Sequence, residues 1–153
     1  MIIFNSTIKP YYGIDNISLD KSYDEVKQFL KNNNYKYHVD TYPNKGCVPE
    51  VAWKVIRIEG GINVYFAFDK MFKIDFIDNY IGKLFNGIFI GMSMEEAVAT
   101  DSTLKYNDEE EDYASDEGYW IEDNLDTNEV SRITIFIKEL LDEDVFFTYN
   151  WAK

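Results

Sequence analysis

The sequence predicts an α+β protein: two tandem helix-plus-antiparallel-sheet repeats whose strands join into one curved sheet with the helices on one face. Three observations carry this expectation. Serine–glutamate pairs of the helix-capping type recur about 70 residues apart, period-two apolar segments follow each pair, and aromatic side chains are abundant, with twelve Tyr and eleven Phe in 153 residues. Aromatic residues fit the half-buried surface of a pleated sheet. An apolar fraction of 46% supplies core for a single domain over residues 1–153 and excludes a disordered acidic chain.

The first half opens with Gly13-Ile14, Ile17 and Leu19, then Ser22-Tyr23-Asp24-Glu25-Val26. A Ser three positions before a Glu, with an apolar residue next, is the capping-box arrangement, in which hydroxyl and carboxylate each satisfy a free N–H of the first turn. It predicts a helix over 23–32. Tyr35, Tyr37 and Val39 then alternate with Lys36, His38 and Asp40, which places His38 on the polar side of a strand. Gly60-Gly61 between Val55–Ile58 and Ile62–Phe68 reads as a hairpin turn, since both positions tolerate positive φ. Ile62, Val64, Phe66 and Phe68 share one strand face, and Phe72, Ile74 and Phe76 mark a further strand.

The second half repeats this order. Gly87-Ile88, Ile90 and Met92 lead into Ser93-Met94-Glu95-Glu96-Ala97-Val98, which predicts a helix over 94–101. Tyr106 and Trp120 take the places of Tyr37 and Trp53. Ile133, Ile135 and Ile137 form one alternating strand, and Val145, Phe147, Tyr149 and Trp151 are expected to form the closing one. The repeats cover approximately 11–80 and 85–153.

The phrase Gly87-Ile88-Phe89-Ile90-Gly91-Met92-Ser93-Met94-Glu95-Glu96 resembles the openings of tandem helix-plus-sheet repeats, of which the β-lactamase inhibitor protein family is an example similar in length and layout. The resemblance covers the repeat frame and implies a fold. The disulfides usual in that secreted inhibitor cannot form with Cys47 alone, which argues against an extracellular inhibitor. The acidic, aromatic and small profile also resembles the immunity proteins of bacterial toxin–immunity pairs, a class that implies binding and blocking a nuclease toxin domain.

Charge is the most local feature of the chain. Eleven carboxylates and no basic residue lie between Asn107 and Ser131, and without them the formal charge of −13 falls to about −2. A field concentrated in this way repels nucleic acid and membranes and steers basic partners inward. The expected partner-binding residues are Asp108, Glu109, Glu110, Glu111, Asp112, Asp116, Glu117, Glu122 and Asp123, with Tyr113, Tyr119 and Trp120 as apolar anchors.

Other classes find little support. The order of acids at Asp112–Gly118 and Asp123–Glu129 does not fit a calcium loop, so no metal is expected. His38 is the only histidine and Cys47 the only cysteine, with nothing nearby to activate either, so neither a catalytic residue nor a cofactor is expected and the chain reads as a non-enzyme. Basic residues are dispersed, the opening MIIFNSTIKP has no signal-peptide pattern, and no apolar run approaches the roughly 20 residues that span a bilayer. The expectation is a bacterial, cytoplasmic protein that binds a basic protein, a cognate toxin domain, through its acidic hairpin, with oligomeric state open. A nucleic-acid mimic acting on a host DNA-binding protein is the alternative, followed by a small-molecule enzyme or a scaffold module.

Overall fold

The computed structural model describes residues 5–44 and 51–153. Cys47 lies outside the described residues. A two-stranded ribbon, β1 (Gly13–Ile14) paired with β2 (Ile17–Ser18), leads into α1 (Tyr23–Asn32). The helix starts where the serine requires it. Ser22 Oγ accepts from the Glu25 N–H at 3.2 Å and Glu25 Oε1 accepts from the Ser22 N–H at 3.3 Å, so two otherwise free donors of the first turn are satisfied. Val26 and Leu30, one helical turn apart, form its buried stripe.

Four strands follow: β3 (Tyr37–Asn44), β4 (Val51–Ile58), β5 (Ile62–Ala67) and β6 (Lys70–Ile77). The second helix, α2 (Met94–Thr100), opens with Ser93 Oγ accepting from the Glu96 N–H at 3.2 Å. Asp101, the last residue of the expected helix, is instead its extended cap, because its side chain is held by residues further along the chain. Then come β7 (Lys105–Asn107), β8 (Asp112–Ala114), β9 (Tyr119–Asn124) and β10 (Glu129–Phe136).

These eight strands form one antiparallel sheet in the order β3-β4-β5-β6-β10-β9-β8-β7. Each group of four is a meander, and the groups meet at β6 and β10, where Ile77 lies opposite Arg132 and Lys73 opposite Phe136. The outermost strands are therefore β3 and β7.

Period-two alternation divides the sheet into two faces. On one, Ile56 and Ile58 of β4, Ile62, Val64 and Phe66 of β5, Ile74 and Phe76 of β6, Ile133 and Ile135 of β10, and Tyr119 and Ile121 of β9 join one buried cluster with Val26 and Leu30 of α1 and Met94 and Ala97 of α2. The architecture is thus α+β, with the apolar residues of both helices in the same core as this face.

The opposite face is covered by a different device. The expected closing strand over Val145–Trp151 does not form. The chain instead makes a 3-10 turn at Lys138–Leu141, a short helix α3 (Glu143–Phe146) and a 3-10 turn at Asn150–Ala152. Asp142 decides this locally: its carboxylate accepts from the Asp144 N–H at 3.0 Å and starts a helical turn where a strand needs extended backbone. Burial follows the helical period. Phe146, Tyr149 and Ala152 are buried, while Val145 and Phe147, which strand alternation would bury, are exposed. Phe146 stacks on Trp151 with centroids 5.2 Å apart and meets Phe72 edge-on at 5.3 Å, and Trp53 Nε1 donates to the Tyr149 hydroxyl at 3.0 Å. A second, aromatic core results, made with Val51, Ala67 and Phe72.

The turn between β4 and β5 gives a test of backbone geometry. Gly61 has φ +91°, and a Cβ there would lie 2.0 Å from the Ile77 carbonyl oxygen, so a side chain is excluded by both strain and contact. Gly91 has φ +99° with open space around the same position. We expect Gly61→Ala to lower unfolding free energy by about 2–4 kcal/mol and Gly91→Ala by about 1 kcal/mol, measured by urea denaturation.

Candidate functional site

The acidic residues occupy two turns that the topology brings side by side. The first joins β7 to β8 and carries Asp108, Glu109, Glu110 and Glu111; the second joins β9 to β10 and carries Asp126. Because Asp112 begins β8 beside Glu122 near the end of β9, both turns lie at the same end of the sheet.

Both turns use the same local chemistry. Asn107 Oδ1 accepts from the N–H groups of Glu109 and Glu110 at 3.0 and 3.3 Å, and Asn124 Oδ1 accepts from those of Asp126 and Thr127 at 2.9 and 3.3 Å. An asparagine side chain replaces the backbone acceptor that a tight turn lacks. Four residues after each asparagine the chain takes left-handed backbone, at Glu111 (φ 55°) and Asn128 (φ 56°), and re-enters the sheet.

Nine of the eleven carboxylates gather at this end: Asp108 to Asp112, Glu122, Asp123, Asp126 and Glu129. Asp116 and Glu117 do not. They sit on the turn between β8 and β9, at the far end of these strands, where the Asp116 N–H donates to Thr103 Oγ1 at 3.0 Å and the Glu117 N–H to Ser115 Oγ at 2.9 Å. Among the described residues the nine make one ion pair, Glu122 with Arg132 at 3.2 Å. Asp112 registers its burial together with this crowding. Its carboxyl is pushed up to about 6, first by burial and then by Glu110 and Glu122, against a smaller opposing effect of Lys73. The exposed Tyr106 phenol is also raised, by partial desolvation and by Glu111, Asp108 and Asp123, which places carboxylates around its ring.

The three rings expected as anchors separate. Tyr119 is fully buried and faces the core, so it is no contact surface; its hydroxyl donates to Asp101 Oδ2 at 2.5 Å and accepts from Asn86 Nδ2 at 3.0 Å. Tyr113 is half-buried against the helix-side core, edge-on to Tyr106 at 5.1 Å. Trp120 points to the opposite face, 4.3 Å from the Phe136 ring, and lines a cavity of about 150 Å³ with Lys73, Asp75, Asp112, Arg132 and Thr134. The apolar side chains that stand exposed at the acidic end are Tyr106, at 51%, and Leu125, at 89%. Sequence reasoning missed both, although an apolar residue in a turn between Asp123 and Asp126 is itself a signal.

Asp101 holds this region to α2. Burial would raise its carboxyl, but hydroxyls of Ser115, Thr103 and Tyr119 and the Thr103 N–H donate to it and bring it down to about 2. His38, on β3, has its side chain 70% exposed and lies away from the acidic turns. Among the described residues no group of three or more His, Cys, Asp or Glu side chains is placed to hold a metal ion, and no helix is long and apolar enough to cross a membrane. Compared with known proteins, the chain matches no family model, no curated protein and no solved structure.

Asp112 and Asp101 pull stability in opposite directions with pH. A carboxyl raised in the folded state favours folding fully below its ordinary value of 3.8 and loses that contribution as pH rises through about 6. A carboxyl lowered to about 2 contributes above 3.8 and loses its contribution as pH falls through about 2. Asp112→Asn should therefore flatten the decline in stability between pH 4 and pH 7, whereas Asp101→Asn should destabilise near neutrality, both read from denaturation midpoints across the pH range.

Proposed function

We propose that this protein is an immunity-type inhibitor that docks a basic partner, a cognate toxin domain such as a nuclease, on the acidic end of its sheet. The reading rests on one observation: nine carboxylates on two adjacent turns and the strand ends beside them, which among the described residues make one ion pair, with Asp112 raised to about 6 by burial and by its acidic neighbours. Such a surface carries an electrostatic cost in the free protein that a cationic partner relieves, and its field accelerates encounter. Tyr106 and Leu125 are the contact anchors in this reading, with Trp120 and Tyr113 at its margins. Cytoplasmic residence belongs to the same proposal, since an immunity protein protects the cell that makes the toxin.

The two halves are also proposed to be structural repeats. Each runs from a capping serine through one helix to four antiparallel strands, with Tyr37 and Tyr106 both on the first strand after the helix. By strand order Trp53, on the second strand, has its counterpart on β8, so its match with Trp120 of β9 is set aside.

The test begins with the genes beside this one: one of them should encode a toxin that this protein binds and whose toxicity it suppresses on co-expression. Changing Asp108, Glu109, Glu110, Glu111 and Asp112 together to Ser should leave the fold intact and slow association by roughly tenfold or more at low salt, with the difference shrinking at high salt. Tyr106→Ala and Leu125→Ala should instead speed dissociation, by surface plasmon resonance, as loss of apolar anchors does. Association rates that ignore ionic strength would overturn the docking surface.

A further inference from the structure

The longest unpaired strand edge among the described residues is that of β3. Among the described residues nothing pairs with the outer side of β3, which has only β4 as a neighbour. Its hydrogen-bonding phase follows from one contact and the register. The Glu59 N–H donates to the Lys36 carbonyl at 3.0 Å, and Tyr37 lies opposite Ile58. In an antiparallel ladder alternate residues bond to the same neighbour. Lys36, His38, Asp40 and Tyr42 therefore bond towards β4, while Tyr37, Val39 and Thr41 turn their N–H and C=O groups outward. Pro43 falls in the outward set, where its missing N–H is no loss to the existing sheet and stops further pairing.

We infer that β3 pairs antiparallel with β3 of a second copy about a two-fold axis at Val39, joining two sheets into one. The register is self-complementary. Val39 meets Val39, Tyr37 of each copy meets Thr41 of the other, and these three hydrogen-bonded pairs exchange about six backbone bonds. Between them His38 of one copy faces Asp40 of the other, twice, in the closer non-hydrogen-bonded positions. The cross-strand contact thus sets an N–H donor against a carboxylate rather than like against like. Asp40 is already fixed for this role by Arg57, whose Nε donates to it at 2.6 Å while Nη2 donates to the Tyr42 hydroxyl at 2.8 Å.

Charge distribution favours this edge over the opposite one for self-pairing. A chain of net charge −13 resists self-association wherever its acids meet. The opposite edge, β7, has three residues and lies among Asp108, Glu111 and Asp123, so two copies meeting there would superpose their acidic ends. The described part of the β3–β4 hairpin and its flanks carries Lys36, Lys54 and Arg57 against Asp40 and Glu59, a net charge of +1. Pairing through β3 also sets the acidic turns of the two copies roughly 50–65 Å apart along a sixteen-stranded sheet, several screening lengths at physiological salt. Both remain open outward, so the assembly is bivalent. This inference is independent of what the acidic end binds.

Sedimentation velocity from low micromolar to several hundred micromolar tests it. The expected result is a concentration-dependent shift from 18.0 kDa to twice that mass, with amide exchange at Tyr37, Val39 and Thr41 slowing as the dimer forms. Thr41→Pro removes an outward donor. His38→Asp, at a side chain 70% exposed, places two acids opposite each other without touching the core and keeps the test valid should the proline variant fail to fold. Each is expected to weaken dimerisation roughly tenfold. A single-chain mass at every concentration, a dimer indifferent to both substitutions, or protection of these amides only on adding a different protein would each overturn the inference.

Discussion

The pairing of β6 with β10 is the constraint on which the rest of this structure depends. Among the described residues it is the only place where the two four-stranded meanders touch as a ladder, and it fixes their relative register over Lys73–Ile77 and Arg132–Phe136. The junction is marked by a polar contact inside the sheet. Asp75, 2% exposed, accepts from the Thr134 hydroxyl at 2.6 Å, and the neighbouring Tyr65 phenol is pushed up to about 12, first by burial and then by that carboxylate. A buried acid is tolerated only where its hydrogen bonds are specific, so this contact discriminates against a slipped register, which would strand both groups. Everything lateral follows: β3 lies at one margin, β7 at the other, and the acidic turns stand far from the basic hairpin.

The two faces of the sheet are stabilised by different means. The helix side is an aliphatic core in which α1 and α2 contribute short stripes of two buried residues each. The other side is covered only in part, by rings of the C-terminal segment packed around Phe146. The rest of that face carries Arg57 and, around the cavity beside the acidic end, Lys73, Asp75, Glu122 and Arg132 with the Trp120 ring. Charge, openness and the exposed ladder therefore occur on surfaces that the two cores leave uncovered.

Much of this was legible in the chain. Ser22, Ser93 and their glutamates mark the helix starts because capping is decided within four residues. Gly60-Gly61 marks a hairpin because few other residues adopt that backbone, and the alternation of Ile62–Phe66 and Ile133–Ile135 marks strands because a pleat has period two. Phe68, expected on the same face, is instead an exposed turn residue with φ 55°, and Ile137 caps the 3-10 turn after β10. The closing segment misled for a physical reason: Val145, Phe147, Tyr149 and Trp151 alternate, yet Phe146 and Tyr149 also satisfy a helical period, and the Asp142 cap decides between them.

The sequence by itself determined the class, the capped helices, the hairpin turn and the concentration of negative charge between Asn107 and Ser131, all of which are set by neighbours a few residues apart. Only the tertiary structure decided which strands lie at the margins, that nine acids share one end while Asp116 and Glu117 leave it, and that Tyr119 turns inward to Asp101 while Tyr106 and Leu125 stand outside. Those outcomes depend on strand order and on which face each ring meets, and contacts such as Tyr119–Asp101 and Thr134–Asp75, 18 and 59 positions apart, leave no mark in local composition.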